Sequence, residues 1–393
     1  MRSGENRSTK EKTMRRHTPY GNRNVRAIIS GGGTGGHVFP AIAIADALRR
    51  MAPGAEILFV GANGRMEMER VPAAGYDIVG LDIRGIDRRN LWKNLSLPFK
   101  LWQSMRSAKK ILRDFRPDVA VGVGGYASGP LLLTASRMRI PTLIQEQNSH
   151  AGLTNKRLGR RAAKICVAYE GMEQFFPKEK ILLTGNPIRR ASVDIAGKRE
   201  QALAAFGLAA GRKTILLTGG SLGARTLNGF MQESLPSFAN MPDVQVIWQC
   251  GTAYHERVKA EPVPENVRVL PFLQRMDLAY AAADMVISRA GAGTISELCT
   301  VGKPVVLVPS PNVAEDHQTK NAQALVAKGA AVMVADQDVK GNLLAETLRV
   351  LSDEKRARAL GEAIKKLALL DADEAIAKEV LKLVKKQENG QRR

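Results

Sequence analysis

From Val25 onward, short β-branched runs alternate with longer amphipathic stretches. VRAII, EILFV, YDIVGL, DVAVGV and PTLI are continuous apolar runs bounded by turn-forming residues, and each predicts a strand buried on both faces. The segment after each has apolar positions at helical spacing. Strand and helix in alternation build βαβ units, and hence a parallel sheet covered by helices. A Gly/Pro break stands at GNPIRR, residues 185–190. The alternation then restarts, with KTILLT, VQVIW, VRVL, DMVIS, PVVLV and AAVMV as strands. After Ala335 the pattern is wholly helical and ends in AIAKEVLKLVKK, an amphipathic helix whose terminal lysines suit the negative end of the helix dipole. The pattern therefore predicts two Rossmann-like α/β domains, residues 25–187 and 188–370, whose parallel sheets face a central cleft. Ligands of such sheets bind beyond the carboxyl ends of the strands.

Charge narrows the chemistry. The 393 residues hold 59 Lys and Arg against 38 Asp and Glu, a formal net charge of +21. Such an excess favours polyanions. No zinc-finger, RRM or KH signature is present, so nucleic acid is not the expected partner. Anionic lipid and phosphorylated substrates remain. Cys166, Cys250 and Cys299 lie far apart without a CxxC pair, which argues for buried reduced thiols in a cytoplasmic protein. No apolar run approaches the roughly 18–20 residues that span a bilayer. Residues 1–24 are polar and basic without an apolar core, and so read as a disordered tail rather than a secretory signal.

Three glycine-rich turns stand where strands should end. In SGGGTGGH, Gly31, Gly33 and Gly36 satisfy the letter of the dinucleotide fingerprint. Yet EILFV, the second strand, carries no carboxylate at its tip to hold a ribose. A P-loop reading fails because Gly-Lys-Ser/Thr is missing. GGSLG, at residues 219–223, matches the nucleophile elbow of α/β-hydrolases. His255 and His317 follow it, but neither has the strand-end context of a triad histidine. What remains is a set of loops in which the backbone approaches phosphate and helix N-termini supply N–H donors. RAGAGTISE, at residues 289–297, is the third. Its Glu297 is read as lying in the first helical turn, where it either accepts bonds from a ribose or complements the helix dipole.

Taken together, GGGTGGHVFPAIAIADAL, VGVGGYASGP, QEQNSHAGLTNK, LTGNPIR, GGSLGARTLN, FLQRMDLAYAAAD, SRAGAGTISE and PNVAEDHQTKNA resemble the MurG family of bacterial N-acetylglucosamine transferases. The resemblance runs from about Gly31 to Ala322. It implies a GT-B fold in which the final helix, about 371–388, packs back on the first domain. It also implies transfer of GlcNAc from UDP-GlcNAc to the muramyl C4 hydroxyl of lipid I, giving lipid II with inversion. Donor-binding roles carry over to Ser221 and Arg189 at the diphosphate, Glu297 at the ribose, and Ala292, Gly293, Thr294, Ile295 and Ser296 at the helix N-terminus. Phe272 and Leu273 correspond to the border of uracil, and Gln318 (or Thr319, by the other spacing) to the sugar contact. Thr34, Gly35, Gly36 and Asn148 match the loops that close over the sugar.

Inversion needs a base for the incoming hydroxyl and a stabilised leaving diphosphate. His37 is the first candidate base, with acceptor-diphosphate binding as its alternative role. Glu146 is the second. No metal or other cofactor is demanded, because Arg189 and helix dipoles supply positive charge. The D-x-D at Asp371 and Asp373 reads as a helix-start cap. The lipid acceptor requires contact with a membrane, at its cytoplasmic face and without spanning it. Residues 84–116 hold ten Lys and Arg against Asp87 and Asp114, interleaved with Ile86, Leu91, Trp92, Leu95, Phe99 and Trp102. Such a segment suits an anionic lipid surface. Alternatively it packs its apolar side on the sheet, as is expected from Met105 onward.

Overall fold

The computed structural model describes residues 24–83, 97–125 and 127–391. Its first sheet contains β1 (Arg26–Gly31), β2 (Glu56–Ala62), β3 (Asp77–Leu81), β4 (Val119–Gly124), β5 (Thr142–Glu146), β6 (Lys164–Val167) and β7 (Ile181–Leu183). They lie in the order β3-β2-β1-β4-β5-β6-β7, all parallel. The second sheet contains β8 (Lys213–Thr218), β9 (Val244–Gln249), β10 (Val267–Leu270), β11 (Met285–Ser288), β12 (Val305–Leu307) and β13 (Val332–Met333). Its order, β10-β9-β8-β11-β12-β13, repeats the winding of the first. Both are Rossmann-like sheets. Each has one point where the winding reverses, between β1 and β4 and between β8 and β11, and crevices for ligands open there.

The strand runs legible in the pattern are all strands. KICV and ILL, the cores of β6 and β7, also pair into the first sheet. They are too short to show a period by themselves, and their neighbours in the sheet decide them. Central strands are buried on both faces: every residue of β4 and β5 is buried. Apolar clusters cover both faces of both sheets. Cys166, Cys250 and Cys299 are free and buried, and burial pushes the Cys166 and Cys299 thiols up to about 12.

The chain crosses back at its end. Helix Ala372–Gln391 follows the second sheet but packs on the first domain, where Ile376, Ala377, Val380, Leu381 and Val384 join Ile44 and Leu48 of helix Gly35–Met51. Arginines grip the start of this helix. Arg190 lies 2.8 Å from both Asp371 and Glu374, and Arg50 lies 2.7 Å from Asp373. The D-x-D pair thus stands at a helix start and is held by two cations. Ile376 is fully buried, so Ile376→Ala leaves a cavity. It should lower stability by about 2–5 kcal/mol, read as a fall in the urea midpoint; an unchanged midpoint would show that this helix does not hold the domain.

Candidate active site

The first glycine loop is built around a carboxylate. β1 ends at Gly31, and helix Gly35–Met51 starts after Thr34, which has extended backbone. Beneath the loop lies Glu67, fully buried. Its Oε2 accepts from the Gly33 N–H at 2.8 Å and its Oε1 from the Ala62 N–H at 3.0 Å. A Cβ on Gly32 would run into this carboxylate, and a Cβ on Gly61 would lie 2.5 Å from the Glu67 Cγ. Two of the glycines are therefore needed to seat Glu67. Sequence reasoning passed over Glu67, although GANGRME directly follows a strand. With the loop held from below, Thr34 and Gly36 are exposed on top. The first helical turn carries no acid to occupy its N–H groups.

His37 sits in that turn, partly buried. Its Nδ1 lies 3.0 Å from the Val123 carbonyl and 3.1 Å from Gln147 Oε1. Both are acceptors, so Nδ1 carries the proton and Nε2 holds a lone pair. Burial holds its pKa below the usual value, against the pull of the Glu146 charge. The ring is therefore neutral near pH 7. Space for it comes from Gly124: a Cβ there would lie 2.7 Å from Cε1 and Nδ1, and its φ of +102° suits glycine alone.

Glu146, the second candidate base, is bound into its own loop. It is 2% exposed, and its oxygens accept from the Asn148 N–H at 3.1 Å, the Gly152 N–H at 3.1 Å and Asn155 Nδ2 at 2.8 Å. A carboxylate so engaged orders its own loop. The loop in turn meets the second domain. Asn321, fully buried in helix His317–Val326, accepts from Ser149 N and Oγ at 3.0 Å and donates to Asn148 Oδ1 at 3.2 Å.

On the second domain, Ala292–Val301 forms the helix after β11. Ala292 and Ile295 are buried, so they contribute backbone, while Gly293 and Thr294 are partly exposed and Ser296 bonds the Ala292 carbonyl at 3.0 Å. Glu297 falls in the second turn of this helix, not the first. That displacement removes the dipole explanation, since the effect fades within one turn. Its Oε2 accepts from the buried Tyr280 hydroxyl at 3.0 Å. Burial pushes its pKa up to about 6, with Tyr280 and Arg189 pulling the other way. Arg189 is exposed, and its guanidinium stacks 4.3 Å over the ring of Phe39, two residues beyond His37. Arg189 therefore stands between the two glycine-loop helices.

Ser221 is exposed in the turn between β8 and helix Arg225–Ala239. Gly220 and Gly223 shape that turn with φ of +82° and +75°. His255, one candidate partner for a hydrolase serine, pairs with its neighbour Glu256 instead. Phe272 is 48% exposed, whereas Leu273 is buried in the second-domain core, so Phe272 alone offers a side chain to a ligand. Gln318 Oε1 accepts from the Ala290 and Ser310 N–H groups at 3.2 and 2.9 Å, joining two loops at the cleft. Thr319 caps locally to Asp316 at 2.7 Å.

Of the expected membrane residues, Ile86, Leu91, Trp92 and Leu95 lie outside the described residues. Phe99, Leu101 and Trp102 are exposed on helix Leu97–Phe115, with the rings of Phe99 and Trp102 stacked at 6.1 Å and Arg106 5.7 Å from Trp102. The opposite face, Ser104, Ala108 and Leu112, is buried, and Ala108 and Leu112 join the sheet's core. Among the described residues no helix is long and apolar enough to cross a membrane.

Comparison with known proteins agrees with this fold. Residues 27–167 match the glycosyltransferase family 28 N-terminal domain, and residues 214–381 match the family 28 C-terminal domain. A UDP-N-acetylglucosamine–N-acetylmuramyl-(pentapeptide) pyrophosphoryl-undecaprenol N-acetylglucosamine transferase of Bacteroides fragilis is 56% identical over 91% of this chain and 96% of its own length. The protein of the same name from Flavobacterium psychrophilum is 51% identical over 92% of this chain and 98% of its own. The crystal structure of Acinetobacter baumannii MurG superposes with a TM-score of 0.74 at 30% identity, covering 91% of this chain and 99% of that one. The chain belongs to glycosyltransferase family 28 and, within it, to the MurG family of N-acetylglucosamine transferases, with a GT-B fold.

Proposed function

We propose that this enzyme moves GlcNAc from UDP-GlcNAc to the muramyl C4 hydroxyl of lipid I, giving lipid II with inversion at the anomeric carbon. The observation that carries the reading is the placement of His37: its Nδ1 faces the Val123 carbonyl and Gln147 Oε1, in an open helix N-terminus where Arg189 stacks on Phe39 two residues on. In this reading Nε2 takes the proton of the C4 hydroxyl as its oxygen attacks the anomeric carbon. The bond from that carbon to UDP breaks in the same displacement. The departing diphosphate meets Arg189, the N–H groups of the Ser221 loop and the start of the Ala292–Val301 helix. Glu297 holds the ribose hydroxyls with the oxygen that Tyr280 leaves free, Phe272 borders the base, and Gln318 and Asn148 line the sugar. This charge is supplied by the chain itself, so no metal or further cofactor enters the reading. Relatives bearing the transferase name over nearly their whole length support the substrate pair.

The same reading places the enzyme on the cytoplasmic face of the cell membrane. Phe99, Leu101 and Trp102 offer an apolar edge, and Lys100, Arg106, Lys109, Lys110 and Arg113 surround it with charge. A helix that follows β3 starts at the carboxyl edge of the sheet, the edge that borders the cleft. Lipid-bound acceptor would thus enter beside the site.

UDP release from UDP-GlcNAc, with and without a short-chain lipid I analogue, tests the reaction. Release should require the analogue, and His37→Ala should lower kcat by roughly 10²–10⁴-fold. UDP binding without release would move the acceptor to another lipid or sugar, and full activity of His37→Ala would end its role as base. Below about pH 6 the Glu297 carboxyl gains a proton and loses acceptor capacity. The KM for UDP-GlcNAc should therefore rise as pH falls through that value, and Glu297→Gln should have a raised KM without this limb. At the membrane, Phe99→Ser with Trp102→Ser should weaken sedimentation with phosphatidylglycerol vesicles, and salt should weaken the wild type. Equal sedimentation of the double variant would reject this edge as the contact.

A further inference from the structure

β5 runs out into the segment Gln145, Glu146, Gln147 and Asn148, where side chains of an extended chain alternate sides. Glu146 and Asn148 serve their own loop and Asn321. Gln145 and Gln147 point the other way and are almost wholly buried, at 0% and 2% exposure. Asn186, 3% exposed, meets them from the connection between the domains. Its position is fixed by neighbours: Gly185 has φ +85° and would place a Cβ 2.6 Å from that of Leu369, and Pro187 follows.

Five donors in this cluster form a run in one direction, from His37 to the Ala292 carbonyl; beside that run, Gln147 Nε2 also donates to the Val123 carbonyl at 2.5 Å. His37 Nδ1–H donates to Gln147 Oε1 at 3.1 Å. The Gln147 amide donates to Gln145 Oε1. Gln145 Nε2 donates to Asn186 Oδ1 at 2.9 Å, and Asn186 Nδ2 donates to Ser296 Oγ at 3.1 Å. Ser296 ends the chain by donating to the Ala292 carbonyl at 3.0 Å, in the first turn of the second-domain helix. The orientation of each amide requires that of the next, because an amide can donate only through nitrogen. Asn186 Nδ2 also donates to the Gln147 carbonyl at 3.0 Å, which closes the cluster on itself.

We propose that Gln145, Gln147 and Asn186 form a buried amide relay, a positioning device that orients acceptor dipoles toward His37 and ties that orientation to Ser296 in the other domain. Each dipole presents its oxygen toward the histidine end. A chain of this kind polarises along its length, more strongly where water is excluded. It therefore favours the imidazolium that forms when Nε2 takes a proton. Because its far end is on the second domain, the base is fully supported only when the two domains are juxtaposed. These residues act through His37 and touch no substrate. The inference rests on the reading of His37 as base, and the experiment separates the two.

The test uses the full-length enzyme with ¹⁵N-labelled histidine, the His37 signals being assigned by their loss in His37→Ala. Wild type should show Nδ1 protonated in the neutral ring. Gln145→Met keeps length and burial but breaks the chain in its middle. The titration of His37 should move to lower pH, and the acid limb of the kcat profile should move with it. In the same variant kcat should fall by roughly tenfold while the KM for UDP-GlcNAc stays within about twofold. Ser296→Ala, at the partly exposed end, should move the His37 titration the same way, and serves if Gln145→Met does not fold. An unchanged His37 titration in these variants overturns the relay. A shifted titration with an unmoved rate profile upholds the relay and removes His37 from the role of base.

Discussion

The contact on which the rest depends is the tip of β5. Alternation along an extended strand sends Gln145 and Gln147 to one side and Glu146 and Asn148 to the other. One side reaches Asn186 and His37; the other folds the 146–155 loop and passes Asn148 and Ser149 to Asn321. A single strand end thus sets the candidate base, orders its own loop and joins the second domain. Burial makes these bonds consequential, since a polar group that loses its partner in such a place cannot turn to water.

Charge follows the same division. Both domains direct helix N-termini at the cleft, and Arg189 stacks on Phe39 of one domain while its charge reaches Glu297 of the other. Acidic side chains near these loops are either built into the frame or held by a partner. Glu67 and Glu146 accept backbone N–H groups, and Glu297 accepts from Tyr280. The crossing helix Ala372–Gln391 completes the arrangement, because its acidic start binds Arg50 of the first domain and Arg190 of the connection.

Much of this was legible in the chain. Alternation of β-branched runs with amphipathic segments determined two parallel sheets with helices, because a strand buried on both faces is mostly apolar and a covering helix is apolar on one side. The glycine-rich turns marked strand ends, and the eight motifs identified the family. Short strands were not legible: KICV and ILL acquire their state from β5 and from each other. Nor were roles that depend on distant partners. Glu67 bonds a residue 34 positions earlier, Gln145 meets a residue 41 positions later, and Asn186 meets one 110 positions on. His37 and Glu146 were the first and second candidate bases. Only folding showed that one has its oxygens engaged and the other keeps a free lone pair. Local pattern determines which elements form, because it decides what each can bury. Which polar atom is left free at a site is decided by groups far apart in the chain, so tertiary structure alone settles it.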